Sequence, residues 1–196
     1  VWVDGECWGT KNDYSKRALD AFQKATGIDL SDNLPVEKDH PYYEQYRDFC
    51  REQFRKYLAH YVDTVHEAYP DFEIASNWAY SCHMPEPVTT NIDFISGDFT
   101  PGDAYNRARF EARGMAPQGK PWDLMAWDFY WLPTFSDDSV TYLSPKHPVQ
   151  MMQEGAGAVS MGGGFQVYIG QNRDGSVRMN MVKALSEVSA FLRARQ

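Results

Sequence analysis

Two carboxylates flank a glycine near the start of the chain, in Asp4-Gly5-Glu6, with Val1-Trp2-Val3 before them and Cys7-Trp8-Gly9 after. Carboxylates at the end of an apolar strand, beside indole rings, suit the cleavage of glycosidic bonds. One ionised carboxylate attacks the anomeric carbon, a protonated carboxyl serves the leaving oxygen, and aromatic faces hold the sugar. Asp4 suits the nucleophile: Gly5 permits a close turn behind it, and a short side chain on a strand is firmly held. Asp-Gly is also a turn signal in its own right. For the acid partner the residues leave alternatives open: Glu6 close by, Glu86 on a loop between Pro85 and Pro87, and Asp98 at a strand end. A carboxyl on an aromatic-lined loop loses hydration, which raises its pKa towards the value an acid needs.

These groups require elements to position them, and strand-like runs alternate with helix-like ones, the pattern of a parallel sheet with crossover helices. Ser15 predicts an N-cap, with Ala18, Leu19, Phe22 and Ala25 on one face and a stop at Gly27. A long helix is expected with Pro41 in its first turn, running until Tyr69-Pro70. Strands are expected over 72–80, 92–99, within 121–131 and over 165–169. Helices are expected from the Asp103 N-cap to Arg113, closed by Gly114, from Pro148 towards Gly155, and over 181–193. Residues 136–148, rich in Asp and Ser, read as an active-site loop. With the opening strand this makes five strands, and polar residues gather at their carboxyl ends: Asp4 and Glu6, Asn77, Asp98, Asp128, then Gln171 and Asn172. Ligands bind at such ends. A doubly wound sheet would want a Gly-rich phosphate loop after its first strand, and Gly5 alone does not supply one. The expected fold is therefore α/β, the carboxyl-terminal portion of a (β/α)8 TIM barrel. Because a full barrel takes about 250 residues, residues 1–196 read as a single barrel segment that lacks strands on its N-terminal side.

A formal net charge of −8, with no cluster of Lys and Arg, argues against a nucleic-acid partner. No run of about eighteen apolar residues is present, so no membrane-spanning helix is expected. Cys7, Cys50 and Cys82 have neither metal-ribbon nor redox spacing. His60 and His66 lie off one helical face, which makes a metal pair improbable. Gly155-Ala156-Gly157 precedes a strand rather than following one, so neither a dinucleotide nor any other cofactor is implied. The glycines at 162–164 read as a tight approach to the last strand. Among the indoles, Trp8 and Trp131 are the expected sugar platforms. His83 suits either a sugar hydroxyl or a loop cap.

Val1 to Trp8 resembles the strand-four motif of the alpha-L-fucosidases of glycoside hydrolase family 29, in which a Trp-x-Asp-Gly segment carries the nucleophile. Four further segments agree in order. Glu73-Ile74-Ala75-Ser76-Asn77-Trp78 is similar to the family's next strand, and Gly97-Asp98-Phe99-Thr100-Pro101 to its Gly-Asp-aromatic-x-Thr-Pro-Glu segment. Lys120-Pro121-Trp122-Asp123 through Trp127 resembles its Trp-Glu-Thr segment, and Val159-Ser160 to Gly175 its Val-Ser-x-x-Gly stretch and final strand. The resemblance implies a retaining exo-glycosidase acting on a terminal sugar, with alpha-L-fucose as the family's substrate and a secreted or periplasmic address. It implies Asp4 as nucleophile and, by motif, Asp123 as acid/base, so Asp123 and Glu86 rank ahead of the other carboxyls. Glu6, Trp8, Asn77, Trp78, His83, Asp98, Trp127, Asp128 and Trp131 are the expected sugar contacts. Three departures stand out: no Arg follows Asn77, Asp123 occupies a Glu position, and Gly102 follows Pro101 where the pattern has Glu. Rival expectations are a glycosidase of other specificity such as a galactosidase, a carbohydrate-binding barrel that has lost catalysis, and a fragment with no activity of its own.

Overall fold

Local signals set the first helices. Ser15 Oγ accepts from the Ala18 N–H at 3.3 Å at the start of α1 (Lys16–Thr26), and Gly27, at φ 79°, closes it by donating to the Gln23 carbonyl at 2.8 Å. That left-handed position favours glycine. Helix α2 (Tyr43–Ala68) begins two residues after Pro41, with Tyr42 as N-cap, so the proline lies outside the first turn rather than in it. Tyr69, preceding Pro70, has left the helical region, as a residue before proline tends to. The computed structural model describes residues 2–3, 11–77, 86–98, 104–132 and 142–195, with 2–3, 98, 104, 131–132 and 142–144 described through their backbone.

The buried stripe of α2 is Tyr46, Cys50, Phe54, Leu58 and Val62. At 3.6 residues per turn each i+4 step advances by about 40°, so this line turns through about 160° along the helix. One helix can thus serve two cores. Tyr46 and Cys50 pack with Phe22 and Leu30 in a small cluster against α1, whereas Phe54, Leu58 and Val62 join the main core over the sheet.

The chain is α/β, built on a five-stranded sheet whose described pairings are all parallel: β1 (Trp2–Val3), β2 (Ala75–Ser76), β3 (Phe94–Asp98), β4 (Trp122–Trp127) and, last in the order, β7 (Gly164–Tyr168). Neighbours in the sheet follow chain order, so the described strands show no point where the order reverses. Helices α3 (Ala104–Met115) and α4 (Pro148–Val159) pack side by side, and α5 (Met179–Arg193) packs on α4. Ile74, Ile95, Trp122, Leu124 and Ala126 from the sheet meet Leu58 and Val62 of α2, Ala108 and Ala112 of α3 and Ala158 of α4 in one core. The small residues on α3 and α4 let those helices approach the sheet closely. At the amino end of the sheet, Asp93 Oδ2 accepts from the Ile74 N–H at 2.7 Å and lies 3.0 Å from His66 Nε2. No helix among the described residues is long and apolar enough to cross a membrane.

Several boundaries differ from expectation. The strand expected over 72–80 is only two residues long in its described part. Gly114 lies inside α3, which runs on to Met115 and a 3-10 turn; the left-handed stop is Gly119, φ 72°. The stretch 121–131 holds two strands, because the chain leaves the parallel sheet at Asp128 and continues as β5 (Phe129–Leu132). Within the expected loop, residues 142–145 form β6 (Tyr142–Pro145), antiparallel to β5. Helix α4 passes through Gly155, where a Cβ would stand 2.9 Å from the Phe165 ring, and ends at Val159. The expected close approach at 162–164 is present: Gly162 has φ 87°, and a Cβ on Gly163 would lie 2.3 Å from the Trp122 ring.

Candidate functional site

Alternation decides which side chains of β4 are free to meet a ligand. Trp122, Leu124 and Ala126 are buried beneath the helices, while Asp123, Met125 and Trp127 point to the opposite, less covered face. The parallel register sets Ser96 and Gly164 beside Asp123, Asp98 and Gln166 beside Met125, and Tyr168 beside Trp127. On β7 the residues of this face, Gly164, Gln166 and Tyr168, are exposed.

Asp123 is held through both oxygens. The Ser96 hydroxyl donates to Oδ1, and Gln166 Nε2 donates to Oδ2 at 2.8 Å. Gly164 leaves room beside this carboxylate, since a Cβ there would meet Asp123 Cβ at a tight 3.0 Å. Further along the same face, Trp127 and Tyr168 meet edge-to-face, centroids 6.0 Å apart and planes at 71°. Phe129, buried, contacts both rings at 5.5 Å. Tyr168 remains 42% exposed, so this aromatic wall presents a face to solvent.

The other expected carboxyls stand elsewhere. Glu86 is engaged by Arg51, which donates Nε to Oε1 at 2.6 Å and a second N–H to Oε2, with Arg55 Nη1 at 3.6 Å. Burial would push this carboxyl up, but the Arg51 hydrogen bonds, its own backbone N–H and the charges of Arg51 and Arg55 together hold it below the usual carboxylate range. That is the reverse of the shift expected for an acid on this loop, and its cause is the pair of guanidinium groups. Asp128 is buried and continues the alternation of Leu124 and Ala126 rather than that of Trp127, so it does not face the open side. Its N–H donates to the Tyr168 carbonyl at 3.0 Å, its carbonyl accepts from Lys146 N–H at 2.7 Å, and Oδ1 takes the Gly170 N–H at 3.4 Å. Burial raises its pKa, with the Gly170 hydrogen bond and the charges of Lys146 and Arg178 opposing the rise.

Next to Asp128 lies a fully buried ion pair, Lys146 Nζ to Glu154 Oε1 at 3.0 Å and Oε2 at 3.2 Å. Burial pushes the lysine down and the glutamate up, each opposed by the other's charge. Asn77 is buried after the end of β2, Asp98 closes β3, and Trp131 stands in β5 opposite Leu143. Asp4, Glu6, Trp8, Trp78 and His83 lie outside the described residues. Among the described residues no cluster of three His, Cys, Asp or Glu side chains could hold a metal.

Sequence reasoning passed over Gln166, Tyr168, Lys146 and Glu154. The first two sit in a run read as simply apolar, although its alternation already separates Phe165 and Val167 from Gln166 and Tyr168. Glu154 carried a signal of its own: one acid among Met151, Met152, Gly155, Ala156 and Ala158 is surrounded by residues that bury. Compared with models of protein families, with curated proteins and with solved structures, the chain matches none.

Proposed function

We propose that the chain carries the catalytic face of a retaining exo-glycosidase built on a (β/α)8 barrel, with Asp4 as nucleophile and Asp123 as acid/base. The observation that carries the reading is the grouping of Asp123, Gln166, Trp127 and Tyr168 on the one face of the parallel sheet opposite its helices. Carboxylate, amide and aromatic rings are the groups that cleave, orient and stack a sugar. Strands following chain order, with helices packed on one side, agree with a barrel wall, whose other side is the lumen.

Asp123 is favoured over Glu86 because the latter is neutralised by Arg51, which stabilises the ionised form an acid must avoid. The register row Val3, Ser76, Ile95, Trp122 leads, one residue on, to Asn77, Ser96 and Asp123. Trp127 lies four residues beyond Asp123, about 13 Å nearer the carboxyl rim. A site that deep below an aromatic rim suits a terminal sugar inserted end-on, with a neutral hexose or deoxyhexose such as fucose or galactose as substrate.

Asp4→Asn should abolish turnover of activated aryl glycosides by the full-length protein while leaving sugar binding measurable; near-normal turnover eliminates the nucleophile assignment. Azide should restore turnover to Asp123→Ala and leave Glu86→Ala unaffected. A panel of aryl fucosides and galactosides reads out the sugar. The engagement of both Asp123 oxygens also supports a second reading, a carbohydrate-binding barrel without catalysis, for which binding without hydrolysis is the signature.

A further inference from the structure

The glycosidase reading makes no use of Asp128, Lys146 or Glu154, yet these buried groups lie directly behind the aromatic wall. Three places in the chain converge there: the junction of β4 and β5 at Asp128, the junction of β6 and α4 at Lys146, and the middle of α4 at Glu154. Lys146 joins all three, its backbone N–H on the Asp128 carbonyl and its Nζ on both Glu154 oxygens. The Tyr130 ring of β5 lies 5.7 Å from the same ammonium, and its hydroxyl donates to Gln150 of α4. Arg178, the residue before α5, supplies the remaining positive charge acting on Asp128.

Asp128 transmits this anchoring to the rings. It lies between Trp127 and Phe129 in the chain, and it is bonded to the end of β7 and the residues just after it, through the Tyr168 carbonyl and the Gly170 N–H, which flank Ile169. Phe129 touches both other rings. A shift of Asp128 therefore moves Trp127, Phe129 and the Tyr168 backbone together. A hydrophobic pair of similar volume would pack as well without the cost of burying charge, so packing alone does not account for these groups.

We propose that Tyr168, backed by Trp127 and Phe129, is the stacking platform for a neutral pyranose, and that Asp128, Lys146 and Glu154 are the residues that position it. This rests on the carbohydrate reading above and adds the ring that meets the ligand and the charges that aim it. The ligand presents a C–H face to the phenol ring, while its hydroxyls lie within reach of the Gln166 amide two residues below on the same face. Tyr168 touches the ligand. Asp128 acts through it.

The test uses the full-length protein, 4-nitrophenyl fucoside and galactoside for turnover, and the matching methyl glycosides for binding followed by tryptophan fluorescence. Tyr168→Ala should raise KM and the dissociation constant about tenfold with kcat within about twofold, and Tyr168→Phe should restore both, because the ring face does the work. Asp128→Ala should raise KM in the same way, and Asp128→Asn, which keeps an oxygen acceptor for Gly170, should rescue it. An unmoved KM in Tyr168→Ala overturns the platform. An unmoved KM in Asp128→Ala with native circular dichroism, or a fall in kcat alone, overturns the positioning role. If Asp128→Ala does not fold, an Asp128→Asn protein that fails to keep wild-type KM overturns it. Binding weakened by Tyr168→Ala in a protein that hydrolyses none of these glycosides sinks the catalytic reading and keeps the platform. Wild-type hydrolysis with both kcat and KM unmoved by Tyr168→Ala does the opposite, and neither turnover nor binding in the wild type sinks both.

Discussion

Lys146 and Glu154 are each wholly buried, and their coupling can be dissected by removing one partner at a time. In Glu154→Leu the ammonium loses the carboxylate it is bonded to, keeps only the more distant charge of Asp128 and the Tyr130 ring among the interactions named above, and escapes by deprotonating. From an ordinary lysine pKa that costs at most about 4.6 kcal/mol at pH 7. In Lys146→Met the glutamate escapes by taking a proton, at a cost of at most about 3.7 kcal/mol at pH 7. Both ceilings agree with the about 3–5 kcal/mol typical of breaking a buried pair, which for a chain this size lowers Tm by about 6–20 °C. The double replacement, Lys146→Met with Glu154→Leu, should lie near wild type or above it, since an apolar pair of similar volume carries no desolvation cost.

The pH dependence gives the sharper test. In Lys146→Met the folded pKa of Glu154 exceeds its unfolded value, so the folded state binds the extra proton, and stability falls by about 1.4 kcal/mol per pH unit as pH rises between the two values. In Glu154→Leu the folded pKa of Lys146 lies below its unfolded value, the unfolded state binds the extra proton, and stability rises with pH at the same slope. Urea unfolding from pH 5 to 9 should therefore give lines of opposite slope for the two single variants relative to the double. Parallel lines, or singles whose losses simply add in the double, refute the buried pair.

Gly163→Ala drives a methyl group into the Trp122 ring, 2.3 Å from its nearest atom, and should cost about 1–3 kcal/mol, read as a fall in Tm; no change means the ring is not seated there. Glu86→Gln should lower stability by about 1 kcal/mol, discounted for the partial exposure of the pair, with turnover retained. Because Glu86 has a depressed folded pKa, its contribution is present above the ordinary value of 4.5 and lost as pH falls through the folded value, so the wild-type advantage should persist at pH 6 and vanish in acid. An advantage independent of pH contradicts the Arg51 pairing.

Both ends of α1 and the parallel sheet are legible because their signals are local: Ser15 and Gly27 bracket α1 as caps, and short apolar runs separated by helices yield parallel strands. Asp123 was legible through motif order, but what holds it was not, since Ser96 and Gln166 come from strands 27 and 43 residues away in the chain. Strand β6 was hidden in an Asp and Ser-rich stretch because only four residues pair, and their partner, β5, was read as part of the strand before it. Asp128 was assigned to the ligand side because it comes late in a strand. Parity is what decides the face, and one residue reverses it. Glu86 was read from its loop and its prolines, but its protonation is governed by Arg51 and Arg55 on α2, a tertiary contact that composition does not encode.

The stereochemistry of the proposed reaction follows from sheet curvature. Strands β1 and β4 are three spacings apart, about 14 Å measured along the sheet. A nucleophile following β1 in the chain and an acid on β4 reach the about 5–5.5 Å needed for retention only if the sheet curls its open face inward. Helices packed on one side, with strands in chain order, curl a sheet in that direction, and full closure of a barrel sets the limit. A shallower curl leaves about 6.5–9.5 Å, room for a water molecule between the carboxyls, and an inverting reaction on the same two residues. Proton NMR of the first-formed anomer therefore measures the closure of the sheet. A retained anomer requires a sheet curled as tightly as a closed barrel, and an inverted one replaces the double displacement by a single attack of water activated by Asp4.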